Sequence, residues 1–169
     1  MTLRLFGAAV IFAVSLYTGG ACTVLWQKRV EVLSAFCRLL SALENGISVM
    51  GLPIYGIVLS YADATLEQTG FLPQARCLWE QDLCADALAH ALSESDTRRW
   101  MEEEEYRLLD DFFAQLGSED REREGERCAY VRARLQNLRD EAASALSARC
   151  RIARTLAGAV GCAAALMLL

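Results

Sequence analysis

Residues 5–26, LFGAAVIFAVSLYTGGACTVLW, contain no charged side chain, and neither do residues 155–169, TLAGAVGCAAALMLL. All 22 acidic residues, and every basic residue except Arg4, lie between them. A 22-residue helix covers about 33 Å, enough for a hydrocarbon core of about 30 Å. Leu5, Phe6, Val10, Ile11, Phe12, Val14, Leu16, Val24 and Leu25 favour insertion by about 3–5 kcal/mol together. The competing expectation is a cleaved leader, because Arg4 precedes the run and Gly19-Gly20-Ala21-Cys22 loosely imitates a lipoprotein cleavage site. Against cleavage, Gly19 stands where a large aliphatic belongs, and the apolar run continues through Trp26.

The carboxy-terminal run is weaker. Fifteen residues reach only about 22 Å, and starting at Ile152 with Arg154 reaching back to the headgroups extends this to about 27 Å. Ala157, Gly161 and Ala165 recur every four residues. They form either a small-residue stripe for close helix packing or a by-product of an alanine-rich tail. Lys28, Arg29 and Arg38 follow the first segment and Arg149, Arg151 and Arg154 precede the second. The positive-inside rule therefore places residues 28–153 in the cytoplasm and both chain ends on the far side. The expected organisation is a transmembrane helix over 1–27, a cytoplasmic domain over 28–153 and a transmembrane helix over 154–169.

Composition narrows the chemistry. A net charge of −5, with no basic patch interleaved with aromatics, argues against nucleic-acid binding. His90 is the only histidine, so two-imidazole chemistry is closed to a single copy. The seven cysteines are odd in number and show no metal-ligand spacing, which points to small buried thiols in a reducing compartment. Cys77 and Cys84 would share a helix face about 10 Å apart, too far to bridge. There is no phosphate loop and no nucleophile with a base, so no catalytic, cofactor-binding or metal residue is assigned.

The central region has helical periodicity throughout. Leu33, Phe36, Cys37, Leu40, Leu43 and Ile47 share one face of a helix that ends at Gly51 and Pro53. A second helix is predicted over 53–66. A third is predicted over 72–92, with Pro73 in its first turn, Leu78, Ala85, Leu88 and Leu92 buried and His90 towards solvent. Ser93 to Thr97 should cap a fourth helix whose stripe is Trp100, Leu108, Leu109, Phe112, Phe113 and Leu116. Glu102 to Glu105 read as its solvated first turns. Gly117 stops it and Ser118 can cap the next. From there one long helix is predicted, weakened only at Gly125 and extending unbroken into the terminal run. Its seam is Cys128, Val131, Leu135, Leu138, Ala142 and Ala145. Residues 94–126 carry a net −8 and 127–154 a net +5, so the acidic part is expected away from the membrane and the basic part against anionic headgroups.

Three stretches resemble one family. RVEVLSAFCRLLSALENGISVMGLPIYGIV (29–58) places Glu44, Ile47, Leu52 and Pro53 on its glutamate, isoleucine and leucine-proline pattern. LLDDFFAQLGSEDRERE (108–124) is similar to its leucine-glycine, two residues, aspartate signature at Leu116, Gly117 and Asp120. An arginine-led apolar tail begins at Arg154. The chain thus resembles the stage III sporulation protein AB family of endospore-forming bacteria over its whole length. It departs at Glu124, where the family has glutamine, and at Ala157, where it has glycine; a carboxylate can accept but not donate.

The resemblance implies an all-α fold: a cytoplasmic helical bundle like the F-type secretion platform domain, flanked by two transmembrane helices. It also implies a non-enzymatic component of the secretion-like channel complex between mother cell and forespore, in the mother-cell membrane. The expected partners are the cytoplasmic secretion-type ATPase, stage III sporulation protein AA, other channel proteins of that stage and the lipid bilayer, with no cofactor and no nucleic acid. Glu44, Asp110, Asp111 and Asp120 are the candidate partner-binding residues. The alternative is a membrane-tethered regulator or sensor that self-associates through its long carboxy-terminal helix.

Topology has a direct check. In a cysteine-free background, Thr2→Cys and Leu169→Cys should label with an impermeant thiol reagent on intact cells, while Ser60→Cys stays silent. Labelling at position 60 would reverse the orientation.

Overall fold

The first described helix shows how this chain uses its apolar residues. A computed structural model describes residues 26–80, 86–118 and 120–168, with side chains up to 148. Helix α1, Trp26–Met50, is 25 residues long and apolar enough to cross a membrane by length and composition, with a mean hydropathy of 1.3. Yet 56% of that apolar stretch is buried inside the protein, and Leu33, Phe36, Cys37, Leu40, Leu43 and Ile47 all lie in the core, as the periodicity predicts. It is the central helix of a domain. The expected first membrane segment, residues 5–26, lies outside the described residues except for Trp26.

The chain divides into two units, Arg29–Asp140 and a second made of Met1–Lys28 with Glu141–Leu169. The packing that follows belongs to the first. The described residues contain helices and no strand. The last turn of α1, Gly46–Met50, is wound as a π-turn and closes on Gly51 in the left-handed region at φ 63°. Two short helices follow, α2 (Ile54–Ser60) and α3 (Ala64–Gln68), where the sequence predicts one over 53–66. The break has a local cause. The Asp63 carboxylate accepts from the amides of Thr65 at 3.0 Å and Leu66 at 3.3 Å, starting a new helix where the periodicity continues.

The helix predicted over 72–92 is also divided, into α4 (Phe71–Glu80) and α5 (Ala87–Glu94), with 81–85 outside the described residues. Pro73 does sit in the first turn of α4. Phe71, Leu72, Ala75 and Trp79 form its buried face, leaving Leu78 half-buried at the edge. Leu88 and Leu92 are buried and His90 is exposed, as expected, while Ala85 lies outside the described residues.

A 3-10 turn, Asp96–Trp100, precedes α6 (Glu103–Ala114). The cap of α6 is therefore Glu102, not the Ser93–Thr97 cluster. Ser95 and Thr97 are buried instead, and their hydroxyls bond each other. Leu109, Phe112 and Phe113 of the predicted stripe are buried; Trp100, Leu108 and Leu116 are half-buried. Gly117 turns the chain at φ 89°, and the Ser118 hydroxyl donates back to the Gln115 carbonyl rather than capping the next helix. Helix α7, Arg121–Leu168, then runs 48 residues without a break, about 72 Å.

Long-range pairs fix the arrangement of α1, α6 and α7. Arg29 bonds Glu105 and Phe36 lies 6.3 Å from Phe113, so α1 and α6 run parallel in a constant register. Arg132 bonds Glu44 at 2.8 Å and Arg121 reaches the Gly51 carbonyl, so α7 runs antiparallel to α1. Arg29 and Asp140 accordingly belong to one end of this unit, and Gly51, Gly117 and Arg121 to the other. Phe71 of α4 closes the core between α1 and α6, 5.0 Å from Phe36 and 5.7 Å from Phe113.

One carboxylate anchors this register. Glu105 is fully buried, which corrects the expectation that Glu102 to Glu105 are all solvated. Its Oε2 accepts from the Glu102 amide at 2.8 Å, completing a capping box, and its Oε1 accepts from Arg29 Nη2 at 2.6 Å. Burial works against the Arg29 charge, but the hydrogen bonds and charges of Glu105 and Glu102 outweigh it and raise the Arg29 pKa. Removing one partner of a buried pair strands the other. Arg29→Ala should therefore lower unfolding stability by about 3 kcal/mol. Arg29→Ala combined with Glu105→Gln should recover part of that loss in a denaturant titration; equal losses in the single and double variants would dissolve the pair.

Candidate interaction surface

Four carboxylates are expected to meet a partner, and the structure distributes them unevenly. Glu44 is half-buried on α1 and committed to Arg132. Asp110 is half-buried and Asp111 exposed on α6. Arg127 lies over the Phe112 ring, 5.8 Å from its centroid, with its guanidinium near the Asp111 carbonyl. Asp120 is exposed just before α7.

Glu44 shares a groove of about 620 Å³ with Ser48, Arg121, Glu122, Gly125 and Glu126. None of the other three candidates lines it. Glu122 and Glu126, both exposed, are the carboxylates that sequence reasoning missed. Their spacing of four on one face of α7 was the available signal.

Acidic charge is also not sorted along the unit as expected. Because α6 runs parallel to α1, Glu102 to Glu105 sit at the Arg29 end of this unit. There they are engaged by Arg29, by Arg107 on Glu103 at 3.0 Å and by Arg134 on Glu104 at 2.6 Å. The acidic groove belongs to the opposite end.

Two glycines set how closely the elements approach. A Cβ at Gly125 would collide with the Ser48 hydroxyl, so this residue is where α7 passes α1 rather than a weak point in a pattern. A Cβ at Gly46 would lie 2.7 Å from Ile57 Cγ1.

The Gly117 turn depends on the residue where the chain departs from its family resemblance. Glu124, 2% exposed, accepts the Gly117 amide at 2.8 Å through Oε1, while its Oε2 is buried without a partner. An amide in this position can make the same acceptor contact.

The thiols divide by burial. Cys37 and Cys128 are buried, as expected, and Cys77 is exposed, which corrects the expectation for that residue. Burial, followed by the charges of Glu124 and Glu44, pushes the Cys128 thiol up to about 12, and burial raises that of Cys37. Both therefore stay protonated, poor nucleophiles. Asp63 shows the reverse. Burial opposes its charge, but the Arg38 guanidinium and the Leu66 and Thr65 amides hold its carboxyl below the usual range. Among the described residues no group of three or more His, Cys, Asp or Glu could hold a metal ion.

An apolar cleft of about 350 Å³ opens between Ile54, Tyr55, Trp79, Leu88 and Leu116. Tyr55 meets Trp79 edge to face, 6.0 Å between centroids.

The family model described as Stage III sporulation protein AB matches residues 4–169, and the chain belongs to this family. It is a family of sporulation proteins. No curated protein and no solved structure matches the chain.

A buried carboxylate with one unsatisfied oxygen is destabilising. Glu124→Gln keeps the acceptor for Gly117 and removes the charge, so it should raise unfolding stability by about 1 kcal/mol. Thermal melts of the two proteins decide it, and a lower melting temperature for the glutamine variant would show that the carboxylate is needed.

Proposed function

We propose that this chain is a non-enzymatic, membrane-anchored component of the stage III sporulation channel between mother cell and forespore, acting as platform or adaptor for its cytoplasmic ATPase. In this proposal residues 1–27 and 154–169 are transmembrane helices in the mother-cell membrane, and residues 28–153 form a cytoplasmic bundle of the F-type secretion platform kind. The observation that carries it is the antiparallel pairing of α1 with α7, with Arg132 on Glu44 and Arg121 on Gly51. This pairing sends both exits of the unit, at Arg29 and Asp140, from the same end, as two anchors in one bilayer require. An apolar run before α1 and the continuation of α7 to Leu168 fit the same arrangement.

The partner is stage III sporulation protein AA, the secretion-type ATPase, meeting the surface that carries Glu44, Asp110, Asp111 and Asp120; other stage III channel proteins complete the assembly. Self-association through the long helix has less to offer it. Cys128, Val131, Leu135 and Leu138 of the proposed seam are already buried within the unit.

Full-length chain in detergent should retain the purified ATPase on a column at about 0.1 M salt and release it near 1 M, where screening shrinks from about 10 Å to about 3 Å. Absence of capture at low salt would end the adaptor role. Capture indifferent to salt would end its electrostatic form.

A further inference from the structure

We infer that the exposed apolar turn between α1 and α2, together with the acidic α1–α7 groove beside it, is a docking site for a basic amphipathic helix of another protein. From Asn45 to Ala62 the chain carries no charged residue, yet this stretch is far from fully buried. Val49 is 79% exposed, Met50 66%, Leu52 46%, Tyr55 48% and Leu59 37%. Tyr55 and Leu59 are one turn apart on α2, while Ile57 and Val58 face the core. This stretch therefore exposes large apolar side chains in addition to those it buries. Five large apolar side chains exposed within eleven residues are concentrated in one short segment, unlike surface apolar residues scattered singly.

Its position and its border select the occupant. The register of α1 against α7 puts the turn at the end of the unit opposite Arg29 and Asp140. Arg29 to Met50 is about 31 Å of helix, so the patch is remote from the exits that lead to the apolar ends. Immediately before it, Ser48 lines the groove that holds Glu44, Glu122 and Glu126. Glu44 is paired with Arg132, and the groove's cation, Arg121, is held against the Gly51 carbonyl. Glu122 and Glu126 take part in no ion pair among the described residues. An apolar ridge beside two uncommitted carboxylates one helical turn apart matches a helix with Leu, Ile or Phe on one face and Lys or Arg along its flank. A second copy of this chain docked ridge to ridge would set Glu122 and Glu126 against themselves, which disfavours it. The site does not require its occupant to be the ATPase.

The probes are three synthetic helical peptides, one Leu/Lys amphipathic, one Leu/Glu amphipathic with the same apolar face, and one Leu/Lys peptide scrambled to destroy amphipathicity. Binding is read by fluorescence anisotropy with the full chain in zwitterionic nanodiscs, after subtraction of empty discs. The ordered Leu/Lys helix should bind at least tenfold tighter than the other two. Leu52→Asp with Tyr55→Asp should weaken it at least tenfold, with the helical circular dichroism signal retained. Glu122→Lys with Glu126→Lys, which leaves the apolar ridge intact, should reverse the preference towards the Leu/Glu helix. Equal binding of the three peptides, no binding, or an unchanged preference after charge reversal would overturn the proposal. Concentration-dependent self-association abolished by Leu52→Asp would overturn it in favour of a second copy. Because no ATPase is present, failure here is distinct from failure of the adaptor role.

Discussion

Glu105 is a carboxylate with no exposure at all, and its two oxygens serve two different parts of the fold. One closes the first turn of α6 through the Glu102 amide; the other receives Arg29 from α1. A single side chain thus begins one helix and positions it against another 76 residues earlier in sequence. With that register set, Phe36 meets Phe113 and Phe71 closes over both. A charge pair of this kind adds little net stability over an apolar packing, but it excludes other registers that leave either charge buried alone.

Periodicity made the principal packing helices legible. The α1 face from Leu33 to Ile47 and the α7 seam from Cys128 to Leu138 were predicted residue by residue and are buried, because an amphipathic helix carries its burial pattern in local spacing. Features set by side-chain competition were not. Asp63 divides a pattern that the apolar residues alone leave continuous, and the same type of local bonding occupies Ser95, Thr97 and Ser118 in roles other than the expected caps. The burial of Glu105 had no local signal either. Four consecutive glutamates read as solvated until Arg29 is brought to one of them from across the chain.

The candidate surface was half legible for a related reason. Net charge summed along a sequence says which segments are acidic, not where their ends go. Parallel packing of α6 on α1 carries Glu102 to Glu105 to the Arg29 end, while Glu122 and Glu126, one turn apart on α7, share the opposite groove with Glu44. What distinguishes that groove is that Glu122 and Glu126 enter no ion pair among the described residues, whereas Glu102 to Glu105 are engaged by arginines.

The hydropathy of α1 has a further consequence during synthesis. Its partners come late: Glu105 follows Arg29 by 76 residues and Arg132 follows Glu44 by 88. At about 5–20 residues per second, the nascent helix waits several seconds or more for the surfaces that cover it. Throughout that interval it is a 25-residue apolar helix following another apolar run. Arg29, Glu31, Arg38 and Glu44, spread along its length, are what distinguish it from a true span before any tertiary contact exists. The charges that later order the bundle as ion pairs therefore begin by disfavouring insertion of its central helix.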